Sequence, residues 1–129
     1  MLDTNIVSDL IRNPAGKAAA RVRTIGDAGL AVSIITAAEL RFGAAKSGSP
    51  RLKFRVEAIL NALDVLSFDV PADSEYAAIR ADLEALGMPI GPNDLLIAAH
   101  SRSLGTTIVT ANATEFSRVS RLKVENWLA

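Results

Sequence analysis

Five polar positions of this 129-residue chain could share one chemistry. Asp3 ends a two-residue apolar stub, Met1-Leu2, that reads as the beginning of a β-strand. Glu39 lies in the first turn of a helix following a β-branched run. Asp94 opens an apolar helix after the turn Gly87–Pro92. Asn112 and Glu115 come just after the strand Thr107–Thr110. All of these are strand-to-helix transitions, and in a parallel sheet such transitions lie on one edge, where open α/β sheets bind their ligands. Carboxylates about 5 Å apart repel by roughly 3 kcal/mol at an effective dielectric near 20. A shared site of Asp3, Glu39 and Asp94 therefore calls for a cation. With no cysteine and one histidine the donors are oxygens, so the expected ion is Mg²⁺ or Mn²⁺. An ion so held orients and acidifies water beside a phosphodiester, which points to metal-dependent phosphodiester hydrolysis.

Each acid also has a plainer role. Glu39 can complete a capping box with Thr36. Asp94 can favour the positive end of its helix, with Asn93 as cap. Asp3 can cap a helix starting near Ile6. Capping does not require the caps to converge on one point, which is why the set is read as a site. His100, inside the apolar helix, is expected to be a hydrogen-bonded packing residue. Asp9 is expected to face solvent. Asp64, Asp69, Asp73, Glu75, Asp82 and Glu84 are expected to coat a solvated surface, and Trp127 to pack as a lid on the C-terminal end.

The elements that must position these residues alternate. After the stub, Ile6–Ile11 reads as a short helix stopped at Asn13-Pro14, since proline disfavours the helical region for the residue before it. Ala15–Asp27 is a second, Ala-rich helix, and Leu30–Ile34 a β-branched strand. A helix from Thr36 to about Lys46 and another to about Leu63 are separated by Lys46–Pro50. Val65–Phe68 is a strand. Pro71 begins a long helix ending at Leu86, with Gly87 as the C′ residue. Leu95–Leu104 is apolar nearly all round, so it should be buried on most sides. Thr107–Thr110 is a strand, Asn112–Phe116 a polar or helical turn, and Leu122–Val124 a last strand. This order predicts a three-layer α/β/α fold with a mainly parallel central sheet, one domain spanning residues 1–129.

Composition bounds the rest. Half the residues are apolar, net charge is zero, and no apolar run reaches membrane-spanning length. Absence of cysteine and of a secretory signal fits a reducing cytoplasm. Residues 1–60 carry nine Lys/Arg against five Asp/Glu, including Arg41, Lys46, Arg51, Lys53 and Arg55, which could meet phosphates or lie on solvated helix faces.

Four blocks together carry a resemblance. They are Leu2-Asp3-Thr4-Asn5; Thr36-Ala-Ala-Glu39-Leu40-Arg41-Phe42-Gly43; Pro89-Ile-Gly-Pro-Asn-Asp94-Leu-Leu-Ile-Ala-Ala-His100; and Val109-Thr-Ala-Asn112-Ala-Thr-Glu115-Phe116. In this order and spacing the chain resembles the PIN-domain ribonucleases, and within them the VapC-type toxins of toxin–antitoxin pairs. The resemblance implies an endoribonuclease acting on structured RNA such as tRNA. It implies Asp3 and Asp94 as principal metal ligands, Glu39 direct or through water, and Thr4 and Asn5 as their supports. Many relatives have Asp where this chain has Asn112, so the fourth position falls to Asn112 or to Glu115, one helical turn on. The partners implied are a VapB-like antitoxin, in a hetero-oligomer, and a second copy of the chain. No helix-turn-helix or basic arm is present, so direct DNA binding is not expected. Relatives also have several residues before the aspartate, where this chain has two. That predicts a truncated or mis-annotated start, or a domain leaning on its dimer partner or antitoxin, and a higher Tm on adding three to five residues.

Two rivals share the architecture. A phospho-receiver needs paired acids at the first strand and a Lys after the last, where this chain has Leu2 beside Asp3 and Thr110-Ala-Asn112. A haloacid-dehalogenase-type phosphatase needs Asp where Asn5 stands. A non-catalytic α/β binding module is the other alternative.

Overall fold

A computed structural model describes residues 1–26 and 29–129. The helices are α1 (Thr4–Arg12), α2 (Lys17–Ile25), α3 (Ile34–Ser47), α4 (Pro50–Ala62), α5 (Ala72–Ala85), α6 (Pro92–Leu104) and the single turn α7 (Ala113–Phe116). The strands are short: β1 (Ala31–Ser33), β2 (Asp64–Leu66), β3 (Ile108–Val109) and β4 (Val124–Glu125). The expected end of the second helix at Asp27 lies outside the described residues.

Two parallel ladders form, Ala31–Ser33 with Asp64–Leu66 and Ile108–Val109 with Val124–Glu125. The N-terminal stub joins them. Leu2 donates its amide to the Ala31 carbonyl on one side and makes a parallel bridge with Val109 on the other. Asp3 N donates to Val109 O, and Val109 N to Met1 O, each at 2.8 Å. The strand predicted from two residues is thus a single bridge, yet it occupies the middle of the sheet.

The period-2 alternation of strand side chains makes the layers. Leu2, Val32 and Val109 point into one core with Ile6, Val7, Ala18, Ala37, Leu40 and Leu60, from α1 to α4. Met1 and Ile108, their immediate neighbours, point into the other with Ile79, Leu83, Leu95, Ile97 and Phe116, from α5 to α7. Helices therefore cover both faces, which is the predicted α/β/α arrangement. Trp127 packs into the first core at 6% exposure, with Arg21 over its ring at 5.2 Å.

Helix starts differ from expectation in instructive places. α3 begins at Ile34, because the buried Ser33 hydroxyl accepts from Ile35 N. Thr36 and Glu39 therefore lie inside the helix, and the capping-box role fails. α6 begins at Pro92 with Gly91 as its N-cap, so Asn93 is not the cap, and Asp94 sits in the first turn. Asp3 does cap α1, accepting from Thr4 N at 2.8 Å. Asp9 is buried at 8% exposure, with Asn13 Nδ2 bonded to its Oδ1 at the end of α1, instead of facing solvent. Of the acids expected to be solvated, Glu75 is half-buried and pairs with Arg102. Gly87 has φ +65°, as a C′ glycine should. Among the described residues no helix is long and apolar enough to cross a membrane.

Candidate metal centre

The five predicted site residues meet on one edge of the sheet. Asp3 is 1% exposed, and both its oxygens are engaged: Oδ1 accepts from Thr4 N and Oδ2 from Thr110 Oγ1, each at 2.8 Å. Thr110 Oγ1 in turn accepts the Asn112 amide at 2.9 Å. From Asn112 the side-chain Nδ2 donates to Glu115 Oε2 at 2.7 Å and reaches toward Asp94 Oδ2 at 3.5 Å. On the other flank Thr4 Oγ1 donates to Glu39 Oε1 at 2.6 Å, and Asn93 Nδ2 to Glu39 Oε2 at 3.1 Å. Asn5 Oδ1 accepts from Ala111 N at 3.1 Å, tying α1 to the loop after β3.

Electrostatics mark the same cluster. Burial pushes the Asp3 carboxyl above the usual carboxylate range, and the nearby Glu39 charge adds to this; its hydrogen bonds with Thr110, Thr4 and Asn5 work the other way. Asp94 is pushed up to about 6, first by desolvation and then by the charges of Asp3, Glu115 and Glu39. Carboxyl groups raised by burial and like charge and gathered on one sheet edge mark a candidate functional site.

The donor set suits a hard divalent cation: carboxylate oxygens from Asp3, Glu39 and Asp94, plus the Asn112 amide oxygen. The like charges that push Asp94 upward are what such an ion would neutralise. Among the described residues, however, no three His, Cys, Asp or Glu side chains are drawn close enough to enclose an ion as they stand. Glu39 is hydrogen-bonded to Thr4 and Asn93, and Glu115 to Asn112 and the Gly91 amide.

His100 lies outside the cluster and packs as expected. Its ring is 2% exposed, with Nδ1 2.8 Å from Ser33 Oγ and an edge-on contact to Phe68 at 5.4 Å. Burial lowers its pKa. Through Ser33 it steadies the start of α3, the helix that carries Glu39. Arg41 is spoken for by Glu57, with two contacts of 3.0 Å.

A family model described as PIN domain matches residues 1–122. The tRNA(fMet)-specific endonuclease VapC of Shigella flexneri is 40% identical over 128 residues, covering 98% of this chain and 96% of that one. The chain belongs to the PIN-domain family, among the VapC ribonucleases. Ribonuclease VapC2 of Haemophilus influenzae is 41% identical over 130 residues, with 99% and 97% coverage. The DNA-bound VapBC crystal structure from Salmonella typhimurium superposes with a TM-score of 0.93 at 38% identity, covering 98% of this chain and 96% of that chain.

Within this VapC-family fold, sequence reasoning missed Thr110 and Asn93, which hold the acids without being acidic. Thr110 stands one residue past the end of β3, a position where a hydroxyl is easily taken for strand propensity. Replacing it by the isosteric Val leaves buried Asp3 short of a donor and the Asn112 amide short of an acceptor. At pH 7 Thr110→Val is expected to lose about 1–3 kcal/mol of stability. With its donor gone the Asp3 carboxyl rises further in the folded state, so the loss shrinks as falling pH protonates it. Urea midpoints at pH 7 and pH 4 check this; equal losses at both would rule out Asp3 as the cause.

Proposed function

We propose that this chain is a metal-dependent endoribonuclease, the toxin of a toxin–antitoxin pair, hydrolysing phosphodiester bonds in structured RNA such as tRNA. The observation that carries it is the convergence of Asp3, Glu39 and Asp94 on one sheet edge, with Asp94 raised to about 6 first by burial and then by its neighbours' charges. The name of the Shigella relative points to tRNA as the substrate class.

Asp3, Glu39 and Asp94 would hold Mg²⁺ or Mn²⁺, with Asn112 toward the fourth position and Glu115 beside it. When bound, such an ion lowers the pKa of a water and offsets charge on the phosphodiester oxygens. The protein supplies the positions. Thr4 N and Thr110 fix both oxygens of Asp3, and Thr4 Oγ1 and Asn93 fix those of Glu39. Exposed Lys46, Arg51, Lys53 and Arg55 on α3 and α4 offer charge to an RNA backbone.

A VapB-like antitoxin is the partner class, since the structural relatives are VapBC complexes. A largely apolar groove of about 250 Å³ begins at Thr4 and Glu39 and runs between α1, α3 and α4, lined by Ile11, Leu40 and Val56. A partner helix seated there would cover Glu39. Exposed Ile34 and Phe42, two turns apart on α3, suit a second copy of the chain. DNA is reached through the complex and not by this chain alone.

Antitoxin-free protein incubated with total RNA should cleave it in Mg²⁺ or Mn²⁺ and stop in EDTA, with sequenced 5′ ends clustering at few positions. If metal-supplied protein leaves tRNA and rRNA intact and expression does not arrest growth, the chain is a non-catalytic binding module.

A further inference from the structure

Both oxygens of Glu115 are already committed, and one of them to backbone. Oε1 accepts the Gly91 amide at 2.8 Å, and Oε2 accepts Asn112 Nδ2 at 2.7 Å. Gly91 is the N-cap of α6 and has no side chain to cap with, while Pro92 follows at the first helical position. Asp94 is in that first turn. The turn and the acid are close: a Cβ built on Gly91 would lie 3.8 Å from Asp94 Oδ2 and 3.8 Å from Glu115 Oε1. One turn beyond Glu115, Arg118 Nη1 donates to the Pro89 carbonyl at 3.2 Å, gripping the same segment again. The intervening Phe116 is wholly buried, so α7 is anchored and can act as a fixed support.

We propose that Glu115 is a positioning residue, a brace from α7 that clamps the Gly91–Pro92 turn and so fixes where Asp94 stands. Asn112 is the residue presented toward the acids at the fourth position, its amide set between the carboxylates of Glu115 and Asp94. The pairing explains the residue types. A carboxylate at position 112 would face two others, whereas the Asn112 amide donates to one and points at the other. The acid, moved one turn along the chain, is used to hold backbone. This inference rests on the reading of Asp3, Glu39 and Asp94 as the metal-binding acids.

The test compares Glu115→Gln and Glu115→Ala with the unaltered chain, using Asp94→Asn as the reference. Two quantities are read: Mn²⁺ affinity by calorimetry, and hydrogen exchange of the Gly91 amide in metal-free protein. Gln keeps a carbonyl oxygen for Gly91, and Asn112 can turn its own oxygen to the new amide. Glu115→Gln should therefore hold Mn²⁺ within about threefold of the unaltered chain, with Gly91 exchange still slow. Glu115→Ala should speed that exchange at least about tenfold and weaken Mn²⁺ roughly 10–100-fold, the range for losing a group that orients a ligand. The proposal is overturned if Gln weakens Mn²⁺ as much as Ala does, which would make the charge itself the contribution. It is equally overturned if Ala leaves Gly91 exchange unchanged. Undiminished Mn²⁺ binding by Asp94→Asn would instead sink the metal-site reading, and the Gly91 exchange data would still decide the brace.

Discussion

Asp94→Asn is expected to slow RNA cleavage by orders of magnitude while making the metal-free protein more stable at pH 7. The two effects share one cause. Asp94 is half-buried, faces the charges of Asp3, Glu115 and Glu39, and has its pKa raised from 3.8 to about 6. Between those values the folded state keeps a proton that the unfolded state has released. Stability therefore falls as pH rises through that window, and the full cost is present at neutral pH. The shift alone corresponds to about 3 kcal/mol; discounted for solvent screening of a partly exposed group, about 1 kcal/mol is expected. Removing the charge should raise Tm in EDTA by roughly 4 °C. At pH 4, where Asp94 is protonated in the folded state, the advantage should nearly vanish. Added Mg²⁺ should reverse the order, because an ion that binds the folded form stabilises only the chain able to hold it. For cleavage, stripping one charge from the set is expected to cost about 3–5 kcal/mol, as for breaking any buried charge pair, or roughly 10²–10⁴-fold. Melting curves at both pH values, with and without Mg²⁺, together with cleavage rates, check all of this. A variant less stable than the parent in EDTA at pH 7 would show that desolvation and like charge do not govern Asp94.

Much of the architecture was legible because it rests on local rules. Pro14, Pro50, Pro71 and Pro92 mark helix boundaries, Gly87 and Gly105 adopt positive φ at helix ends, and the apolar run from Leu95 buries most of α6. The acids were legible as a set because strand-to-helix transitions share an edge. What the sequence hid depends on contacts across long separations. Thr110 reaches Asp3 over 107 positions, and Asn93 reaches Glu39 over 54. Neither pairing leaves a local pattern. Asp9, two turns along from Asp3, reads as solvent-facing, yet it is buried, with Asn13 bonded to its carboxylate. Helix starts were misplaced where the cap was a strand residue. Ser33 belongs to β1 yet caps α3, and a strand pattern running through it conceals the switch.

Leu2→Ala is expected to be among the most destabilising single changes in the chain, although it alters the second residue. Chain ends usually fray, and a terminal side chain would normally be worth little. Leu2 is different because the ladders close through it. Its side chain is 1% exposed, in the core built by α1 to α4, and its amide and bridge partners lie on β1 and β3. Leu2 links the two ladders, bonding to β1 on one side and bridging to β3 on the other, while β1 pairs with β2 and β3 with β4. Truncating a buried Leu costs about 2–5 kcal/mol, a large share of the roughly 5–15 kcal/mol that holds a folded domain. In urea the midpoint should fall by about 1–2 M, given slopes of about 1–3 kcal/mol per M. Leu10→Ala, at a partly buried position of the same core, serves as the control and should lose less. Function should follow stability here, because Asp3 is the next residue and its amide is bonded to Val109 O. A stub that slips carries the acid away from Thr110 and Asp94. Cleavage by Leu2→Ala should therefore drop even at temperatures where most of the protein is folded, with Mn²⁺ affinity weakened in step. A Leu2→Ala chain matching the Leu10→Ala control in midpoint and binding Mn²⁺ normally would mean that the centre of the sheet does not depend on the stub.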